Sequence, residues 1–70
     1  SAATYPAVYN AANEEAVEAF HQGRISFTKI VELIEETLAR HTPAAQLTLD
    51  GVLEAERWAR ETANSLINKG

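Results

Sequence analysis

Alanine dominates the hydrophobic part of this 70-residue chain and limits the core that it can build. Of the residues that make up the 46% hydrophobic fraction, 13 are Ala and 19 are larger: four Val, four Ile, six Leu, two Phe, two Tyr and one Trp. That number of large side chains fills one small core and no second one. Because Ala on a buried face lets helix backbones approach closely, the composition predicts one compact domain of tightly packed helices.

The rest of the composition excludes several classes of partner and site. The net charge is −4 and acidic and basic residues are interspersed, so there is no basic stripe for nucleic acid or an anionic membrane. The absence of Cys excludes disulfides and thiolate metal sites. No apolar run approaches the length of a membrane span, and no leader peptide is visible. We therefore expect no nucleic-acid and no membrane partner. Since the sequence starts at Ser1 without Met, we expect a trimmed or cloned fragment.

Two breaks divide the chain into three predicted helices. Gly23 supplies a left-handed stop after the first helix, which has Thr4 as its expected N-cap and Pro6 in its first turn. Pro43 prevents the second helix from continuing. The sequence thus predicts an all-α fold, a three-helix bundle-like arrangement that is a fragment of a larger helical domain. The predicted helices cover about residues 5–22, 27–41 and 49–68, and a loop from Thr42 to Leu47 joins the last two.

Capping signals mark the starts of the second and third helices. Ser26 is the expected N-cap of the second helix, where Ile25 and Ile30 form a hydrophobic staple across the first turn. Thr48 is the expected N-cap of the third helix, and Asp50 places a negative charge in its first turn. These signals fix where both helices begin.

Helical periodicity predicts which side chains are buried. In the first helix, Tyr9 and Phe20 share an arc with several alanines. In the second helix, Leu33 lies outside the buried stripe. The predicted members of that stripe are Phe27, Ile30, Val31, Ile34 and Leu38.

An asparagine on the apolar arc of the first helix points to a polar contact inside the domain. A buried amide such as that of Asn13 is costly unless it is hydrogen-bonded. In the third helix, Glu56 and Arg60 have the spacing of an i, i+4 ion pair. The predicted structural network, which joins the first and third helices, consists of Asn13, Glu14, Glu56 and Arg60. The alternative is that these residues lie at the solvent boundary.

No arrangement of residues points to catalysis. The adjacent carboxylates Glu14–Glu15 and Glu35–Glu36 diverge by about 100° on a helix, whereas acid–base pairs must converge. The histidines, His21 and His41, lack the spacing of a metal motif, and the isolated glycines form no phosphate loop. Trp58, with an arginine on its N-terminal side, is expected to pack at a helix margin. We therefore expect no catalytic, cofactor-binding or metal-binding residue.

Three segments together resemble one enzyme family. They are NAANEEAVEAF from Asn10 to Phe20, GRISFTKI from Gly23 to Ile30, and GVLEAERWAR from Gly51 to Arg60. The C-terminal helical domain of 1-deoxy-D-xylulose 5-phosphate reductoisomerase has a similar NAANE helix followed by an I-x-F-x-x-I helix. Its last helix has an acidic residue and A-R spaced as Glu56, Ala59 and Arg60 are. The resemblance covers essentially the whole chain.

The resemblance implies a part in a larger enzyme. Members of that family use NADPH and a divalent cation (Mg, Mn or Co) to make 2-C-methyl-D-erythritol 4-phosphate in non-mevalonate isoprenoid biosynthesis. Their metal and substrate-phosphate residues belong to a central catalytic domain, and this sequence has none of those motifs. The resemblance therefore implies a non-catalytic, cytoplasmic structural domain that holds no cofactor itself and whose partner is the central domain. The alternative is a free-standing three-helix protein–protein interaction module.

The chain departs from the family pattern at its start. The family usually has another helix just upstream, with the pattern F-P-x-L-x-L-A, and this sequence begins after it. A bundle without that helix is expected to expose an apolar groove, and such surfaces drive association. We therefore expect the isolated chain to self-associate, with Leu33, Trp58 or the Tyr5–Tyr9 region at the contact.

Overall fold

Three α-helices and no strand make up the part of the chain that the computed structural model describes, residues 4–41 and 48–69. Helix α1 spans Tyr5–His21, α2 spans Phe27–Arg40 and α3 spans Leu49–Lys69. The prediction of an all-α, three-helix arrangement is confirmed. The predicted loop from Thr42 to Leu47, which contains Pro43, lies outside the described residues. No helix among the described residues is long and apolar enough to cross a membrane.

The two ends of α1 follow from local sequence. Pro6 lies at its start, where a missing N–H costs no intrahelical bond. After the last turn, Gly23 adopts a φ of 75°, which Gly tolerates and which L side chains rarely adopt. This conformation lets the N–H of Arg24 donate to the carbonyl of Ala19 at 2.9 Å, the hydrogen bond of a Schellman motif. The chain therefore stops one helix and turns toward the next within five residues, 22–26.

Hydroxyl groups cap the other two helices. The Oγ of Ser26 accepts a hydrogen bond from the N–H of Lys29 at 3.3 Å. The Oγ1 of Thr48 accepts one from the N–H of Gly51 at 2.9 Å. A Cβ at position 51 would lie 3.0 Å from that hydroxyl oxygen, so Gly51 leaves room for the cap. Each cap satisfies a backbone donor that has no partner within its helix.

Helix α1 is the central element of the core. It packs against both α2 and α3, and most extensively against α3, whereas α2 and α3 contact each other least. The close packing of α1 and α3 depends on small side chains. Seven buried alanines lie on these two helices: Ala11, Ala12, Ala16 and Ala19 on α1, and Ala55, Ala59 and Ala63 on α3. The larger side chains of the core come mainly from α2.

Helix α2 buries only part of the stripe that periodicity predicts, including both of its isoleucines. Leu33 is buried, and so is Thr37, whose hydroxyl donates to the carbonyl of Leu33 at 2.8 Å. Phe27 and Val31 are exposed, so the predicted stripe is wrong at these two positions. The reason lies in tertiary packing, because the inward face of α2 packs against α1 and also contacts α3. The hydrogen bond from the Thr37 hydroxyl to the backbone lowers the free-energy cost of burying this polar side chain. Leu33 is therefore not available for a surface contact.

Candidate functional site

The guanidinium of Arg60 on α3 binds two carboxylates of α1. Its Nη2 lies 3.0 Å from Oε1 of Glu14, and its Nη1 lies 3.0 Å from Oε2 of Glu15. The other oxygen of Glu15, Oε1, accepts a hydrogen bond from Nδ2 of Asn64 at 2.9 Å. The same amide nitrogen donates to the carbonyl of Arg60 at 3.0 Å. Glu15 thus holds two residues that lie one turn apart on α3.

Partial exposure limits the energy of this cluster. The side chain of Arg60 is 40% exposed, that of Glu14 63% and that of Glu15 26%. The hydrogen bond to Glu14, followed by that to Glu15, raises the pKa of Arg60, and burial opposes the rise. Ion pairs this exposed contribute about 0.2–1 kcal/mol each, with Glu15 at the upper end of that range. The cluster therefore fixes the position of α3 along α1 more than it stabilises the fold.

Two of the four residues in the predicted network come together. Glu14 and Arg60 form an ion pair, but Asn13 and Glu56 make no side-chain hydrogen bond within residues 4–41 and 48–69. Successive helical residues turn by about 100°, so Asn13 and Glu15 point about 160° apart on α1. A guanidinium that reaches Glu15 is therefore on the wrong side of α1 for Asn13. Because Arg60 is directed toward α1, it also does not pair with Glu56 one turn earlier.

Glu15 and Asn64 complete the cluster but are absent from the predicted network. Asn64 follows Arg60 by one turn, and Glu15 follows Ala11 by one turn, so both lie beside the buried alanines of their helices. Short alanine side chains bring the two helices close enough for a Glu and an Asn to meet. Polar residues that run parallel to a row of alanines are the sequence signal for such a contact.

A second polar contact ties the start of α1 to the end of α2. The hydroxyl of the buried residue Thr4 lies 2.7 Å from Nε2 of His41. The ring of His41 meets that of Tyr5 nearly perpendicularly, with centroids 5.1 Å apart, and lies 5.5 Å from the ring of Trp58 on α3. Thr4 is the N-cap residue of α1, as predicted, but its side chain makes no capping hydrogen bond because its hydroxyl faces His41. This group of four residues joins all three helices.

Further polar contacts lie outside these two groups. At the opposite end of the molecule, Arg24 in the turn after α1 donates a hydrogen bond to Oδ1 of Asn68 on α3.

A groove of about 240 Å³ lies between α2 and α3 and is lined by Lys29, Glu32, Leu33, Glu36, Arg40 and Leu66. Its charges pair with each other, 4.0 Å apart for Lys29 and Glu32 and 2.8 Å for Arg40 and Glu36. The groove therefore presents no surplus charge to an ionic ligand.

Comparison with known proteins identifies relatives of this sequence. The family model described as the DXP reductoisomerase C-terminal domain matches residues 1–62. A 1-deoxy-D-xylulose 5-phosphate reductoisomerase from Paenarthrobacter aurescens (strain TC1) is 61% identical over 57 residues, which are 81% of this chain and 14% of that relative. The protein of the same name from Leifsonia xyli subsp. xyli (strain CTCB07) is 50% identical over 66 residues, 94% of this chain and 18% of the relative. No solved structure matches.

These matches confirm the resemblance that the three sequence segments indicate. The chain spans 14% to 18% of the length of these curated relatives. This small share favours a domain of a longer protein over a free-standing interaction module.

Proposed function

The chain belongs to the family of DXP reductoisomerase C-terminal domains, and we propose that its role in the enzyme is structural. The observation that carries this proposal is that charged residues of the family segments pair with each other. Glu14 and Glu15 of the NAANEE sequence, and Arg60 of the last segment, bind each other across two helices. Residues engaged in this way hold the helices in place instead of acting on a substrate.

We propose that the whole protein is a cytoplasmic, NADP-dependent reductoisomerase of isoprenoid biosynthesis. It would make 2-C-methyl-D-erythritol 4-phosphate with NADPH and a divalent cation (Mg, Mn or Co). The names of the relatives support this activity, and this chain covers only 14% to 18% of their length. The catalytic residues and both cofactors would therefore belong to the remainder of the polypeptide, with the central catalytic domain as the partner of this one.

Acidic residues of this domain pair with its own basic side chains. Within residues 4–41 and 48–69, no group of three or more His, Cys, Asp or Glu side chains is placed to hold a metal ion. The neighbouring carboxylates Glu14 and Glu15 are already bound by Arg60, which offsets their charge. Their proposed contribution is to keep three helices in one fixed arrangement.

The test compares the whole reductoisomerase with a variant that lacks these 70 residues. Turnover with NADPH and Mg²⁺ and the melting temperature are measured for both proteins, and NADPH binding is measured separately. We expect the shortened protein to melt at a lower temperature and to lose turnover, while the 70-residue chain alone shows no turnover. Turnover by the isolated chain, or an unchanged melting temperature and rate in the shortened protein, would contradict the structural role.

Self-association of the isolated chain remains a prediction. Leu33 is buried and is therefore not available to contact a second copy. Trp58 is half-buried, and Tyr9, in the Tyr5–Tyr9 region, is exposed. We propose that exposed apolar side chains bring two copies together weakly when the remainder of the polypeptide is absent. Light scattering at increasing protein concentration tests this, and a monodisperse monomer at the highest concentration would contradict it.

A further inference from the structure

Exposed apolar side chains concentrate at the outer junction of α1 and α2. Among the described residues, six large hydrophobic side chains are exposed, and four of them lie here. At about 100° per residue, Tyr9 and Phe20 lie within about 20° of each other around α1, and Phe27 and Val31 within about 40° around α2. The rings of Phe20 and Phe27 meet edge to face with centroids 5.9 Å apart and join the two rows. We call this surface, Tyr9, Phe20, Phe27 and Val31, the α1–α2 seam.

An amide group lies within the seam. Asn13 follows Tyr9 by four residues and precedes Phe20 by seven, so all three fall within about 40° on α1. Its side chain makes no hydrogen bond to another residue in the part of the chain that the structure describes. Protein contacts combine an apolar centre with about one hydrogen bond per 100–200 Å², and the amide of Asn13 offers donors and an acceptor for such a bond.

Ion pairs are distributed unevenly among the three helix junctions. The α1–α3 junction carries the ion pairs of Arg60, and the groove between α2 and α3 is lined by two ion pairs within α2, those of Lys29 and Arg40. The α1–α2 junction has no ion pair across it among residues 4–41. Protein contacts are depleted of charge at their centre, so this junction is the one of the three best suited to bind another surface.

The size of the seam decides between two occupants. The four side chains are 48%, 38%, 69% and 55% exposed. With about 200 Å² for an aromatic side chain and less for Val, they present about 400 Å² of apolar surface. Contacts between domains of one chain bury about 300–750 Å² on each side. A stable dimer of separate chains needs about 800 Å² on each partner. The seam therefore fits a contact within one polypeptide.

We infer that the α1–α2 seam is the surface by which these helices dock onto the remainder of their own polypeptide. The chain accounts for only 14% to 18% of the length of its relatives, so in such an enzyme most of the protein is covalently tethered to it. Tethering raises the effective concentration of the partner surface, so a modest apolar area suffices. The complementary surface is apolar and carries a hydrogen-bonding group opposite Asn13. This inference rests on the proposed structural role.

Side-chain oxidation in the whole reductoisomerase tests the seam directly. Phe27 and Val31 of the seam have matched controls in Leu49 and Leu53, which are 74% and 53% exposed and lie on α3. Each rate of hydroxyl-radical oxidation is divided by the rate for the same residue in urea-unfolded protein. We expect the rate at Phe27 to fall roughly sevenfold, from the value for 69% exposure to that for about 10% exposure, as it would in the dry centre of a contact. The rates at Leu49 and Leu53 should stay at the values that their exposures allow.

Three outcomes would overturn the inference. They are full oxidation of Phe27 and Val31, equal protection at seam and control positions, and protection that disappears on dilution, which would assign the seam to a second copy.

The double variants Phe27→Ser/Val31→Ser and Leu49→Ser/Leu53→Ser separate this inference from the proposed function. We expect only the seam variant to lower the melting temperature of the whole enzyme. If both variants behave as wild type while removal of the 70 residues still destabilises the enzyme, the structural role stands and the seam is wrong.

Discussion

Enlarging a buried alanine at the α1–α3 contact should destabilise the fold, although it adds hydrophobic surface. Ala59 lies at the centre of α3 with no exposed surface, in a cluster with Val8, Ala11 and Ala55. The substitution Ala59→Leu adds three carbon atoms where two backbones are close together. Relief requires that α1 and α3 move apart, which would also strain the bonds from Arg60 to α1 one residue later.

The expected magnitude is a large share of the total stability. Overpacking a filled core costs about 1–3 kcal/mol, and a domain of this size has about 4–10 kcal/mol in all. Since each kcal/mol shifts the melting temperature of such a domain by about 4–8 °C, Ala59→Leu should lower it by about 4–24 °C. If hydrophobic burial governed this site instead, the larger side chain would raise the melting temperature.

Thermal unfolding followed by circular dichroism measures the effect, and urea unfolding provides the free energy. The matched control is Ala39→Leu on the exposed face of α2, where the same change meets solvent. We expect the control to stay within about 0.5 kcal/mol of wild type. A stability for Ala59→Leu equal to that of the wild type or of the control would refute close alanine packing as the basis of this contact.

Three further predictions concern single contacts. A double-mutant cycle of Glu15→Gln and Arg60→Gln should give a coupling free energy of about 0.5–1 kcal/mol in urea unfolding. Because the pKa of Arg60 is raised, the stability that its positive charge contributes is fully present below the ordinary pKa of Arg. That stability is lost only as pH rises through the raised value. Titration of Arg60 should therefore leave the coupling free energy unchanged between about pH 7 and about pH 9. Gly23→Ala should cost about 1–2 kcal/mol from backbone strain alone, since no atom lies within 4 Å of the added Cβ; a neutral result in thermal unfolding would contradict the left-handed stop. Thr4→Val should cost about 0.5–1.5 kcal/mol by removing the part-buried hydrogen bond to the ring of His41, and an unchanged urea midpoint would show that this bond is dispensable.

Local features of the fold could be predicted from the sequence because short-range chemistry determines them. The left-handed stop at Gly23 depends on the backbone of one residue, and the cap at Ser26 depends on a donor three residues later. Neither needs knowledge of the rest of the chain. Thr4 is the instructive exception, because a partner 37 residues away takes the hydroxyl that the local pattern assigns to the helix start.

The orientation of each helix toward its neighbours could not be predicted in the same way. Periodicity identifies an apolar arc on α2, but only the joint position of α1 and α3 determines that Leu33 points inward and Val31 outward. The cluster shows the same limit, since the choice of Glu15 over Asn13 depends on which side of α1 faces α3. In both cases the missing information is the rotation of one packed helix against another.

The extensive packing of α1 against α3 makes the first and last helices of the chain mutually dependent. During synthesis, α1 and α2 leave the ribosome while the main partner of α1 is still unmade. Val8 and Ala11 of α1 then lack Ala55 and Ala59, the α3 residues with which they cluster. Closing the chain around this contact costs loop entropy before the contact forms. We expect the three helices to become stable together, and only after the last turn of α3 has emerged. A shortened chain that ends before Arg60 would therefore not form a smaller version of this fold.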